Sequence, residues 1–98
     1  MATFRHPVPI LVQRSLAALG GRVAVARKAR GLTQVQLAFS ADVGVSTVAA
    51  LEGGHHGVSL GNLLKVLAAL DLLAQVDDWL LPERDAAVLA YATDRLAP

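Results

Sequence analysis

His55 and His56 stand side by side in the segment GGHHGV, and paired imidazoles first suggest a metal ligand set. A zinc site needs a third and usually a fourth ligand at short, regular spacing. The chain has no cysteine, and no other ligand type lies at such a spacing nearby, so no metal is expected. Asp77 and Asp78 are adjacent, which on a helix points them to different faces and reads as a solvated edge rather than an acid–base pair. A phosphate-cradling glycine loop and a serine elbow with a partner histidine are both missing. An enzyme is therefore not expected, nor is a cofactor. What remains is hydrogen-bonding and cationic chemistry suited to an anionic polymer.

The charge distribution agrees. Residues 1–57 hold six Lys and Arg against two acids, a net +4, while residues 58–98 hold three against six, a net −3. A basic half beside an acidic half gives one face for an anionic partner and another turned away from it. With 98 residues, 54% of them hydrophobic, the chain can bury the core of one domain without disulfides. The apolar run 8–12 is too short for a signal peptide, and the stretch 63–73, cut by Lys65 and Asp71, falls short of the roughly 18 residues of a membrane span. A soluble cytoplasmic protein without membrane contact is expected.

The elements that must carry these residues are all helical, because apolar residues recur at three and four and no stretch alternates at period two. Leu16, Leu19, Val23 and Ala26 predict a first helix over 11–29, closed by Gly31, with a kink or break at Gly20 and Gly21. Thr33 with Gln36 three residues later forms a capping box that opens a short helix over 34–40, with Val35, Leu37 and Ala38 mostly inward. Asp42, Val43 and Gly44 make the turn into a third helix over 45–51 that buries Val48 and Leu51. The glycines after Glu52 stop it. Ser59 caps a fourth helix over 60–70, a shorter helix follows around 73–80, and a last one spans 83–96. The chain is thus read as an N-terminal arm (1–10), a helical domain (11–81) and a C-terminal helix (82–98).

Two short helices joined by a tight turn, over the twenty residues 33–52, form a unit able to lay its second helix in a DNA major groove. The run ARKARGLTQVQLA followed by VSTVAALEGG resembles the lambda-repressor-like (XRE) helix-turn-helix proteins, and the likeness covers about residues 15–70. It implies a compact all-α domain of five to six helices with an extra C-terminal helix. The downstream stretch VSLGNLLKVLAALDL is most similar to the HipB-type antitoxins that pair with kinase-like toxins.

The resemblance assigns roles residue by residue. Gln34, beside Thr33 at the start of the first reading helix, should bond a DNA phosphate with help from backbone N–H groups. Val45, Ser46 and Ala50, with Thr47 beside them, match positions that face base edges. This helix carries no Arg, Lys, Asn or Gln, the residues that read bases in bidentate pairs, so either specificity rests largely on DNA shape and on residues outside it, or DNA binding by the isolated chain is weak. Arg22 on the basic first helix joins the DNA-contacting set. His55 and His56, in the loop leaving the recognition helix, should donate to phosphate, with affinity rising as pH falls. Arg27 and Glu52 are expected to form a partly buried ion pair between first and third helices, a structural role.

Together these features imply a sequence-specific repressor of double-stranded DNA that acts as a homodimer on paired half-sites. As the antitoxin of a kinase-type toxin pair it would autoregulate its operon. The alternative is an interaction module that neutralises a partner protein, docking through the acidic C-terminal helix, with DNA binding secondary.

Overall fold

A computed structural model of the chain describes residues 7–96. The expected arm falls largely on residues 1–6, outside the described residues. The first helix, α1, spans Ile10–Ala29 and runs unbroken through both central glycines. The expected kink is absent because the two glycines face different surroundings. A β-carbon on Gly20 would lie 2.7 Å from the carbonyl oxygen of Glu52 and closer still to that of Leu51, so this residue lets the end of a later helix touch the α1 backbone. Gly21 faces open space. The lost helix propensity, up to about 1 kcal/mol per glycine, is offset at Gly20 by that close approach. Gly31, at φ +68°, closes the helix, and the Leu32 amide donates back to the Arg27 carbonyl at 3.2 Å.

Helix α2 spans Gln34–Ala41. Its capping box is complete: the Gln36 amide donates to Thr33 Oγ1 at 3.1 Å, and the Thr33 amide donates to Gln36 Oε1 at 2.9 Å. Leu37 and Ala38 are buried as the spacing predicts, but Val35 is 65% exposed. Residue 35 lies on the outer side of a helix whose inner face is set by Leu37, Ala38 and Ala41, so its apolar character does not bring it into the core. The turn after α2 passes through Asp42 in a left-handed conformation, φ 55° and ψ 50°, which aspartate tolerates better than most residues. Lys65 reaches across to donate to the Asp42 carbonyl at 2.7 Å, fixing that turn. Helix α3 then spans Val45–Glu52, with Gly44 at its N-cap.

Helix α4, Leu60–Ala69, is capped by Ser59, whose Oγ accepts from the Asn62 amide at 3.1 Å. Leu63, Val66 and Leu67 turn inward and, with Leu70, close a core built from Val23 of α1, Leu37, Ala38 and Ala41 of α2, and Val48 and Leu51 of α3. Each fully buried Leu or Val contributes about 1.5–3 kcal/mol relative to exposure. These four helices are the compact unit.

The C-terminal part departs from the expected boundaries. Residues Leu73–Asp78 form a 3-10 segment rather than a helix to residue 80, and Pro82–Arg84 form a second one. The last helix, α5, spans Ala86–Leu96. Its start moves from Glu83 because Asp85 is the better cap: its Oδ1 accepts from the amides of Ala87 and Val88 at 3.0 and 3.2 Å. Helix α5 packs mainly on the turn Pro82–Arg84 that leads into it, and Val88, Leu89 and Tyr91 stay exposed. The radius of gyration is accordingly 16.7 Å, against about 13 Å for a compact 100-residue domain. Among the described residues there is no strand, and no helix is long and apolar enough to cross a membrane.

Candidate nucleic-acid interface

The orientation of α3 is set from its C-terminal end. Arg27 Nε donates to Glu52 Oε2 at 2.7 Å and Nη2 donates to Oε1 at 2.9 Å, a fork-to-fork pair with side chains 10% and 7% exposed. Arg27 Nη1 also donates to the Leu32 carbonyl at 2.8 Å, so one guanidinium ties α1, the α1–α2 turn and α3 together. Gln34 Nε2 donates to Glu52 Oε1 at 3.1 Å, adding the start of α2. These hydrogen bonds hold the Glu52 carboxyl below the usual carboxylate range, Arg27 first and Gln34 after it, with burial opposing, and Glu52 in turn raises Arg27.

With Val48 and Leu51 buried, α3 turns Val45, Ser46 and Ala49 outward, while Thr47 and Ala50 are half-buried at its edges. The outward side chains are short, so the helix backbone can approach a groove floor closely. Polar groups come from the flank. A cleft of about 410 Å3 beside α3 gathers Ser46, Thr47, Ala50, His55, Ser59 and Asn62. Sequence reasoning missed Asn62 and Ala49. For Asn62 only part of the signal was in the sequence: Ser59 as N-cap puts residue 62 in the first turn of α4, but its place beside α3 follows from the packing of the two helices.

The histidine loop is shaped by its glycines. Gly54, at φ +75°, lies so near α1 that a β-carbon would sit 2.9 Å from the Ala17 backbone, which anchors the loop there. His55 and His56 stack at 4.9 Å between ring centroids, and the Gly57 amide donates to His55 Nδ1 at 2.8 Å. That bond leaves Nε2 as the donor of the neutral His55 ring. Both histidines line a second hollow of about 440 Å3 with Gln13, Leu16 and Gly54. Among the described residues no three His, Cys, Asp or Glu side chains gather as a metal site.

Thr33 and Gln34 therefore sit at the start of α2, beside the far end of α3 from Val45 and Ser46. Gln34 still has a second amide hydrogen to offer a phosphate. Arg22 is not part of this grouping. It lies well around α1 from Arg27, on a groove formed by α1 with Leu72 and Gln75.

Comparison with known proteins agrees with this geometry. The pattern that defines the helix-turn-helix family matches residues 23–73, which includes all of α2, α3 and α4. No curated protein and no solved structure matches the chain.

Proposed function

Because the chain belongs to the lambda-repressor-like (XRE) helix-turn-helix family of DNA-binding transcription regulators, we propose that it is a sequence-specific repressor that binds paired half-sites as a homodimer. The observation that carries this reading is the Arg27–Glu52–Gln34 clamp, which holds α3 across the domain with its short side chains outward. In this reading Val45, Ser46 and Ala49 enter the major groove, and Ser46, Thr47, His55 and Asn62 supply its hydrogen bonds. The N-terminus of α2, with Thr33 and Gln34, lies on a phosphate. A surface this poor in long polar side chains leaves much of the discrimination to DNA shape.

The stretch behind the likeness to kinase-pairing antitoxins, residues 58–72, commits Leu63, Val66, Leu67 and Leu70 to the core, so that likeness supports the fold. A toxin partner, with operon autoregulation, would use exposed residues outside that buried stripe. The test is selection of binding sites from random duplex DNA followed by footprinting. An inverted repeat with half-sites about one helical turn apart is expected. Recovery of no enriched sequence, with even protection along the duplex, would overturn the reading.

A further inference from the structure

The connection between α3 and α4 is closed by a side chain. The His55 amide donates to the Ala50 carbonyl at 2.9 Å, which ties the start of the connection to α3. Two residues on, the Gly57 amide donates to the His55 ring at Nδ1, 2.8 Å away, and Ser59 then caps α4. Asparagine and aspartate make the same bond in an Asx turn, with a side-chain oxygen where His55 uses a ring nitrogen. Gly57 is fitted to the ring. A β-carbon there would lie 2.9 Å from His55 Cε1 and 3.0 Å from Nδ1.

An oxygen keeps its acceptor character near neutral pH, whereas an imidazole nitrogen can lose it. A proton on Nδ1 turns the acceptor into a donor and sets two N–H groups against each other, so the ring must swing away from Gly57. The surroundings do nothing to hold a cation in place. Across the two hollows that His55 lines, α1 presents Gln13, α3 presents Ser46 and Thr47, and α4 presents Asn62, with no carboxylate among the described residues there. The titratable group facing the ring is His56, stacked at 4.9 Å, and charge on both rings would drive them apart. We propose that neutral His55 is a positioning residue that holds the α3–α4 connection closed. Its protonation opens the connection and takes the ring out of the cleft it shares with Ser46 and Asn62. The consequence for DNA rests on the repressor reading above: acid weakens operator binding, the reverse of what a histidine meeting phosphate as a cation would give.

The experiment uses the full chain, labelled with nitrogen-15 for NMR. At about pH 8 the His55 ring is expected to carry its proton on Nε2, and the Gly57 amide should shift as that ring titrates towards about pH 5.5. In His55→Asn, whose Oδ1 accepts the same amide without titrating, the Gly57 amide should hold its position across that range. Binding to the selected operator at constant ionic strength is expected to weaken about tenfold from about pH 8 to about pH 5.5 in the wild type, and less than about twofold in His55→Asn. Gly57→Ala displaces the ring at every pH. It should weaken binding about tenfold already at about pH 8, with helicity by circular dichroism unchanged. A His55 proton on Nδ1, a Gly57 amide indifferent to the ring's protonation, or wild-type binding that tightens with acid would each overturn the proposal. The spectra of the free chain separate the two readings. A chain that ignores DNA while Gly57 follows His55 keeps the switch and loses the repressor; one that binds its operator with Gly57 indifferent to His55 does the reverse.

Discussion

Arg27 and Glu52, 25 residues apart in sequence, share two hydrogen bonds of 2.7 and 2.9 Å, and through them α3 is fixed to the first helix rather than only to its neighbour α2. Truncating one partner leaves the other buried and unpaired. Arg27→Ala should therefore cost about 3 kcal/mol of unfolding free energy in urea titrations, the lower end for a buried pair because both groups keep a little solvent contact. A loss under about 1 kcal/mol would mean that the pair behaves as a surface salt bridge.

The same pair sets an acid limit. Glu52 is held below the usual carboxylate range when folded and returns to about 4.3 when unfolded, so the unfolded chain binds more protons between the two values. Its contribution is complete above about pH 4.3 and fades as pH falls through the folded value. Glu52→Gln should flatten this acid limb of the stability profile, read by thermal melts between about pH 3 and pH 6. An unchanged limb would place the sensitive carboxylate elsewhere.

Adjacent glycines should answer in opposite directions to the same substitution. Gly20→Ala drives a methyl against the carbonyls of Leu51 and Glu52, and overpacking against backbone costs about 1–3 kcal/mol, outweighing the gain in helix propensity. Gly21→Ala meets nothing and should stabilise by up to about 1 kcal/mol. Equal effects in denaturant unfolding would contradict the close α1–α3 contact.

At the interface, Asn62→Ala should weaken binding to the selected operator about tenfold, within the 1–3 kcal/mol of a base contact, while leaving affinity for unrelated duplex unchanged. Equal losses on both DNAs, in competition gel shifts, would make Asn62 a phosphate contact.

The sequence disclosed the helix-turn-helix unit because local chemistry dictates it: the Thr33 and Ser59 caps, the left-handed Asp42 and the inward spacing of Val48 and Leu51 each act within a few residues. It did not disclose what depends on distant approach. Gly20 read as a weak point in α1, since nothing nearby reveals that α3 ends against it. Val35 read as core because its type is apolar, although its face is decided by neighbours on other helices. The start of α5 was misplaced at Glu83 because Pro82 and the acidic first turn imitate a helix opening, whereas Asp85 makes the cap. The Arg27–Glu52 pairing was expected from the family resemblance rather than from spacing, and the meeting of Asn62 with Ser46 and His55 needs the α3–α4 packing to be seen.

The central claim is that this chain binds DNA through the α2–α3 unit, with the net +4 of residues 1–57 supplying the cations, and salt titration tests it most directly. Neutralising phosphates releases counterions, so the logarithm of the binding constant should fall linearly with the logarithm of salt concentration, losing about 0.9 in slope per phosphate contacted. A steep negative slope is the predicted result, with Gln34→Ala lowering affinity at every salt concentration while leaving the slope unchanged, because its amide is neutral. A flat response, or binding indifferent to the presence of duplex DNA, would contradict the account.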